Sequence, residues 1–173
     1  ENKWPDSSKF NALSSSSSSS STSILTKWDT VRSIRNDVNK CIEVMRGAKL
    51  IGASQECQAI LYTKDETLKK ALQSIQGDRE LLDNAIDTDG CDDLRFILIA
   101  SQVTVVDTEA ELIELCGSQG NYILAQDATE SGLSVGVTRA RGHKCDRCWY
   151  YSENVGKHEQ YSDLCFRCAS VIT

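Results

Sequence analysis

Two Cys-x-x-Cys pairs near the end of the chain constrain its fold more than any other feature. Cys145 and Cys148 form the first pair, Cys165 and Cys168 form the second, and sixteen residues separate the pairs. Two thiolates three residues apart fit on one tight turn, so two such turns supply four soft ligands at tetrahedral corners. The doubled spacing predicts one closed, structural zinc site, because a catalytic zinc would keep one coordination position for water.

Basic residues flank both pairs. Lys144 precedes the first cysteine of its pair, and Arg147 and Arg167 each directly precede the second cysteine of theirs. Four thiolates around one divalent cation carry a net negative charge, so these cations either offset that charge or point outward to a polyanion. Two disulfides, or four thiols that are only buried, are the alternatives to zinc.

The other four cysteines follow a different pattern. Cys41, Cys57, Cys91 and Cys116 are widely spaced, and each lies within or beside a predicted helix or strand. Such placement is typical of reduced, packed thiols and unlike a disulfide framework. It predicts a reducing compartment, and it predicts no redox role because none of these thiols has a Cys-x-x-Cys partner.

Length and composition limit the domain organisation. The chain has 173 residues, of which 40% are hydrophobic, enough for one ordinary domain and a small appendage. It contains no run of eighteen apolar residues, so we expect no membrane-spanning helix. The first residues show neither a signal-peptide apolar segment nor an initiator Met. We therefore expect a piece of a longer polypeptide that is not secreted.

The charge is distributed unevenly. The formal net charge is −6, yet residues 139–173 hold six basic and four acidic side chains, which gives +2 there and −8 in residues 1–138. The same segment holds five of the eleven aromatic residues. A basic, aromatic-rich end predicts nucleic-acid contact through phosphate pairing and base stacking. The alternative is a small zinc module that packs its aromatic rings beneath the metal for lack of another core.

The order of predicted elements indicates an α+β fold. Residues 1–23, which include eight consecutive serines, are predicted to be a disordered linker. Residues 24–141 are predicted to place helices on one side of a mostly antiparallel sheet, and residues 142–173 to form the zinc finger. The capping-box pattern at Thr26 and Asp29 predicts the first helix start. The predicted elements are helix 26–46, strand 58–63, helices 65–76, 78–86 and 92–100, strand 103–106, a loop holding Gly117 and Gly120, strand 121–126, and a half-exposed strand 133–141.

Several segments together resemble the C-terminal region of bacterial-type isoleucyl-tRNA synthetases, over most of residues 24–173. The zinc-finger type is also similar to the one that closes formamidopyrimidine-DNA glycosylases. The matching segments are Trp4-Pro5, Trp28 through Arg46-Gly47-Ala48-Lys49-Leu50-Ile51-Gly52, Ser101-Gln102-Val103, Gly142-His143-Lys144-Cys145-Asp146-Arg147-Cys148-Trp149, Val155-Gly156, and Cys165-Phe166-Arg167-Cys168.

The resemblance implies a parent enzyme that joins isoleucine to tRNA with ATP. In that family the C-terminal zinc domain helps to bind tRNA near the anticodon end, and the chemistry lies upstream. The family's His-Ile-Gly-His and Lys-Met-Ser-Lys-Ser motifs are absent from this chain, so we expect no catalytic residue here and an inactive fragment. The implied partners are tRNA and the upstream domains of the same synthetase, without a membrane. The octaserine departs from the family pattern and suggests an organellar version, in a chloroplast or mitochondrion; a bacterial parent would be cytoplasmic.

Individual roles follow from this reading. Five cations are expected to contact RNA phosphates. Trp149 is expected to stack on a base or ribose. The alternative role of Trp149 is that of a hydrophobic plug behind the metal. His143 and His158 are expected on the surface, His143 beside an RNA phosphate, because four thiolates already complete the site. A glycosylase-type DNA-binding finger and a purely structural zinc cap are the competing functions. The five cations are Arg141, Lys144, Arg147, Lys157 and Arg167.

Overall fold

A computed structural model describes residues 18–76, 93–118, 120–125 and 131–172. The predicted helix 78–86 and the turn that follows it lie outside these ranges. None of the described helices is long and apolar enough to cross a membrane. The helices and strands are α1 (Ser18–Gly47), β1 (Cys57–Tyr62), α2 (Glu66–Gln76), α3 (Asp93–Leu98), β2 (Gln102–Val105), α4 (Glu109–Ser118), β3 (Tyr122–Ala125), β4 (Ser134–Arg139), β5 (His143–Lys144), β6 (Tyr151–Ser152) and α5 (Phe166–Ile172).

Helix α1 is longer than predicted. It buries one stripe at helical spacing, which includes Ile34, Val38 and Met45, and it ends at Gly47, as the glycine predicts. The predicted start at Thr26 is wrong, because the helix already includes residues 18–25. Once a helix is nucleated, each further residue adds a hydrogen bond, and serine lowers helix stability only modestly. Residues 18–23, predicted as the end of the linker, are therefore helical; residues 1–17 are outside the described structure.

The central sheet has the strand order β2-β1-β4-β3. Strands β1 and β2 are parallel, whereas β4 is antiparallel to both β1 and β3. The sheet is therefore mixed and mostly antiparallel, and the predicted α+β class is confirmed. Cys57 at the start of β1 pairs with Arg139 at the end of β4. This register sets the edge of the sheet from which the chain enters the finger.

Helices cover both faces of this sheet, so the prediction of helices on one side is wrong. Alternate residues of β1 face two different cores: Cys57, Ala59 and Leu61 pack with the face that α1 covers, whereas Ile60 packs with Leu112 and Cys116 of α4. Strand β4 is consequently buried from 135 to 138, and not half-exposed as its alternation predicted. Its pattern of small and β-branched residues fits two covered faces equally well.

Helix α4 was missed because the glycines at 117 and 120 indicated a loop. The chain does carry a start signal: Thr108 Oγ1 accepts a hydrogen bond from the Glu111 backbone N at 3.2 Å, and the Glu111 carboxylate accepts one from the Asp107 N at 3.2 Å. These contacts form a capping pair. Gly117 lies in the last turn, where a glycine is tolerated.

The remaining element predictions agree with the structure within about two residues. Asp65 caps α2, since its Oδ1 accepts hydrogen bonds from the backbone N of Thr67 at 2.8 Å and of Leu68 at 3.3 Å. Helix α3 and strands β1, β2 and β3 lie where they were predicted. The division of the chain at residues 24 and 142 stays a prediction.

Three of the thiols outside the paired cysteines are buried and free. Burial raises the pKa of Cys41 to about 11, of Cys57 to about 12 and of Cys116 to about 11. A thiol held protonated in this way is a small apolar side chain and a poor nucleophile. The prediction of packed thiols is confirmed for these three, their reduced state stays a prediction, and Cys91 lies outside the described residues.

Candidate metal centre

The finger is built on a short hairpin next to the sheet. Leaving β4, the chain is held by a hydrogen bond from the Ala140 N to the Glu56 carbonyl at 2.8 Å. Gly142 then takes a φ of +85°, and a Cβ there would lie 2.3 Å from the Ser152 carbonyl. Only glycine fits at this crossing. Strands β5 and β6 pair in register, so the first Cys-x-x-Cys pair lies in the turn between them, and the second pair lies at the start of α5.

The four paired cysteines converge on one point. Their Sγ atoms all lie within 4.8 Å of one another, and Sγ of Cys148 lies 3.8 Å from Sγ of Cys165. A tetrahedron with Zn–S bonds of about 2.3 Å has sulfurs about 3.8 Å apart, whereas a disulfide requires about 2.05 Å. Cys145, Cys165 and Cys168 are buried. The donor set therefore fits zinc, and the two-disulfide alternative is wrong because all four thiols are free.

Electrostatics of the cluster also favour a bound cation. A hydrogen bond from the Cys165 thiol lowers the pKa of Cys148, while donating that bond and being buried raise the pKa of Cys165. Sulfurs this close cannot all ionise without a positive partner. Zinc, when bound by all four thiolates, supplies that charge and cross-links the two turns. The backbone N of Cys165, 3.4 Å from Sγ of Cys145, would orient one ligand.

The paired cysteines make up most of the buried cluster of this segment. Besides the cysteines, its buried cluster contains Val155, with Leu164 packed against it. The side chain of Asn154 is also buried, and its Oδ1 accepts a hydrogen bond from the Phe166 N at 3.3 Å at the start of α5. So small a cluster cannot hold a fold without a cross-link. Trp149 is 62% exposed, so its alternative role as a plug behind the metal is wrong.

Neither histidine belongs to the four-sulfur cluster. His143 is exposed on β5. His158 is half-buried, and its Nδ1 accepts hydrogen bonds from the backbone N of Gln160 at 3.3 Å and of Tyr161 at 3.2 Å. That nitrogen therefore stabilises a turn. His158 is accordingly less exposed than predicted, because its ring also packs 5.3 Å from the Tyr161 ring.

The predicted RNA-contacting side chains all lie on the surface of the finger, but their surroundings differ. Lys144 Nζ lies 5.1 Å from the centroid of the Trp149 ring. Arg147 donates to the Cys168 carbonyl at 3.1 Å, and Arg141 forms an ion pair of 3.7 Å with Glu153. Lys157 is exposed on the turn after β6. These contacts leave Lys144 and Lys157 more available to a polyanion than Arg141 or Arg147.

Helix α3 contributes side chains to the finger that the sequence did not predict. The guanidinium carbon of Arg95 lies 5.2 Å from the Phe96 ring centroid and 5.8 Å from that of Tyr150, and the two rings meet edge to face at 5.8 Å. The Arg167 guanidinium carbon lies 5.0 Å from the Phe96 ring. Arg95 and Phe96 lie in an apolar run far from the cysteines, so no local pattern connects them with the finger.

Two residues of the β2 region bind the finger to the sheet. Gln102 Nε2 donates to the carbonyls of Arg141 at 2.9 Å and Tyr151 at 3.3 Å, and its Oε1 accepts from the Arg141 N at 2.9 Å. The neighbouring Ser101 Oγ accepts from the Tyr151 N at 2.7 Å and donates to the Gln55 carbonyl. The side chain of Gln102 thus binds the backbone just before β5, at Arg141, and in β6, at Tyr151.

This geometry agrees with a known zinc-finger family. Residues 142–171 match the family described as "Zinc finger found in FPG and IleRS". Residues 142–171 are thus similar to the zinc fingers of this family. The four-sulfur cluster and the match together support zinc binding.

Similarity extends well beyond the finger. The chain is 37% identical over 145 residues to the isoleucine-tRNA ligase of Rippkaea orientalis. The aligned residues make up 84% of this chain and 14% of the ligase. The ligase of Acaryochloris marina is also 37% identical over 145 residues, with the same coverage. The chloroplastic/mitochondrial isoleucine-tRNA ligase of Arabidopsis thaliana is 36% identical over 147 residues, covering 84% of this chain and 12% of that protein. The chain is thus related to one segment of these ligases and spans 12 to 14% of their length.

Proposed function

We propose that the chain is the tRNA-binding segment of an isoleucine-tRNA ligase, in which one structural zinc ion holds a cationic, aromatic surface against the RNA. The ATP-dependent joining of isoleucine to tRNA would belong to other domains of the same enzyme. The relationship to isoleucine-tRNA ligases over 84% of the chain supports this proposal. The observation that carries the RNA-binding role is an exposed tryptophan beside a lysine on the zinc-held turn.

The metal centre would fix the position of Trp149. The residue directly follows the ligand Cys148, its N donates to the carbonyl of the ligand Cys145 at 2.8 Å, and its φ is +66°. A non-glycine residue in this conformation is strained and persists only where its surroundings hold it. The exposed indole can then stack on an unpaired base, an interaction worth about 1–3 kcal/mol. Lys144 beside the ring would contact a neighbouring phosphate.

Local placement matters here more than total charge. Four thiolates with one Zn²⁺ carry −2, which cancels the formal +2 of residues 139–173. Arg147, bound to the Cys168 carbonyl, would mainly offset the centre. Lys144, Lys157 and Arg167 are exposed and would supply most of the phosphate contacts.

Location and partners follow from the same relationship. We propose a chloroplast or mitochondrion as the compartment, because one relative is named chloroplastic/mitochondrial and the buried free thiols suit a reducing environment. The upstream domains of the ligase would be the partners within the same polypeptide. The boundary between the α+β part, 24–141, and the finger, 142–173, is part of this proposal.

Filter binding of the zinc-loaded chain to an isoleucine tRNA transcript tests the RNA-binding role, with duplex DNA of equal mass as competitor. Measurements at about 50 mM and 200 mM salt should show weaker binding at the higher salt. Trp149→Leu should lower affinity about 10-fold, and Lys144→Gln should lower it and reduce the salt slope by about one. Lys64→Gln is the matched control, because Lys64 follows β1 at the end of the sheet opposite Arg139.

The outcomes separate the competing functions. Equal affinity for tRNA and duplex DNA would support a glycosylase-type DNA-binding finger. Loss of stability in a cysteine variant, without any measurable tRNA affinity in the wild-type chain, would support a structural cap. Either result contradicts the proposed RNA-binding role.

A further inference from the structure

A small open cleft lies between α3 and the finger. It is lined by Arg95 and Phe96 from α3 and by Tyr150, Ser152, Asn154 and Arg167 from the finger. We propose that this cleft is a phosphate-binding subsite for the RNA backbone, with Arg95 and Arg167 as its two guanidinium donors. The proposal rests on the proposed RNA-binding function and extends the RNA surface from the finger onto the α+β part.

Two cations from different parts of the chain meet at one ring. The guanidinium carbons of Arg95 and Arg167 lie 5.2 Å and 5.0 Å from the centroid of Phe96. A guanidinium next to a ring face gains cation–π stabilisation, and its N–H groups, which lie in its own plane, remain able to bind an anion. Because these N–H groups lie in one plane, arginine can form two parallel hydrogen bonds to the oxygens of one phosphate. The rings would thus hold both donors in place before RNA arrives.

Contacts from the sheet and from α3 restrain the finger side of the cleft. Gln102 and Ser101 hold the backbone of Tyr151, which lines the cleft next to Tyr150, through bonds of 3.3 Å and 2.7 Å. The edge-to-face contact between Phe96 and Tyr150 joins α3 to the finger at 5.8 Å. These contacts would reduce the ordering of the Tyr151 backbone and the Tyr150 ring on binding, and ordering is a main cost of association.

Two arginines and two of the paired cysteines line the same cleft. Cys148 and Cys165 line the same cleft, so the two arginines also feel the −2 of a zinc tetrathiolate. Lys144 and Arg147, next to the ligands in sequence, supply two positive charges of their own. No acidic side chain among the described residues lines the cleft. Arg95 and Arg167 would be the cleft's two cationic donors to an anion.

Binding of the zinc-loaded chain to an isoleucine tRNA transcript over a salt series tests the subsite. Arg95→Gln and Arg167→Gln should each weaken binding about 5- to 10-fold and reduce the salt slope by about one, and the double variant should reduce it by about two. Arg95→Lys and Arg167→Lys should keep the slope. Arg35→Gln, an exposed arginine on α1, is the matched control and should leave both quantities unchanged. A merely structural role would not move the salt slope.

A second measurement uses the wild-type chain alone, in case a variant fails to fold. A tRNA transcript containing 4-thiouridine should form photo-crosslinks within the peptides that carry Phe96 or Tyr150. Crosslinks confined to other peptides, or wild-type slope and affinity in both Gln variants, would overturn the subsite while leaving tRNA binding by Trp149 and Lys144 intact. Absence of tRNA binding by the wild-type chain would overturn the proposed function and the subsite together.

Discussion

Replacement of Gln102 tests how the finger is held on the sheet. Gln102→Leu keeps a side chain of similar size but removes the three hydrogen bonds to Arg141 and Tyr151, of 2.9, 3.3 and 2.9 Å. Each such bond contributes about 1 kcal/mol net. Because Arg141 is exposed, water can replace part of this loss, and we expect the free energy of unfolding to fall by about 2 kcal/mol. That change corresponds to about a 30-fold drop in the ratio of folded to unfolded chain.

A carboxylate at position 102 should do more damage than leucine. Gln102→Glu keeps an acceptor for the Arg141 N but places oxygen against the carbonyls of Arg141 and Tyr151, which need a donor. Urea denaturation of the zinc-loaded chain, followed by far-UV circular dichroism, measures both variants. Gln73→Leu, at an exposed position of α2, is the control and should leave the midpoint unchanged. Equal midpoints for Gln102→Leu and the control would refute the argument that this side chain holds the finger.

Three further predictions concern the metal ligands, the hairpin and a buried thiol. Cys165→Ser should abolish retention of zinc and move the NMR signals of residues 142–172 to unfolded positions, because the remaining cluster is too small to fold. Gly142→Ala should lower the free energy of unfolding by more than about 1–2 kcal/mol in thermal denaturation, since φ is +85° and the new Cβ meets the Ser152 carbonyl. Cys57 should resist iodoacetamide at pH 8 in the folded chain and react after denaturation. Because burial raises its pKa from 9.0 to about 12, its contribution to stability is complete below pH 9 and falls as the pH rises toward 12.

The elements that could be predicted are those with local signals. Asp65 before an apolar stripe indicates the start of α2, and the short run at 58–63, rich in β-favouring side chains, indicates β1. The start of α1 and the existence of α4 were harder to predict, because serine and glycine are typical of loops although both occur in these helices. The burial of β4 could not be predicted without α4, since the second covering helix decides which side of the strand is exposed.

Some residues of the metal centre and its surroundings could also be predicted from local sequence signals, and others could not. The four cysteines could be predicted because ligand spacing is a property of two short turns, and the structure brings all four sulfurs together. Arg95, Phe96 and Gln102 could not, because they reach the finger only after the sheet has formed. Trp149 was correctly placed on the finger, but its exposure depends on a backbone conformation that the sequence does not show.

X-ray absorption at the zinc K-edge on the purified chain tests the central claim most directly. The account predicts about one zinc per chain, surrounded by four sulfurs at about 2.3 Å. A first shell containing nitrogen or oxygen, or a chain purified under reducing conditions without zinc, would contradict the claim that four thiolates and one metal hold the RNA-facing surface in place.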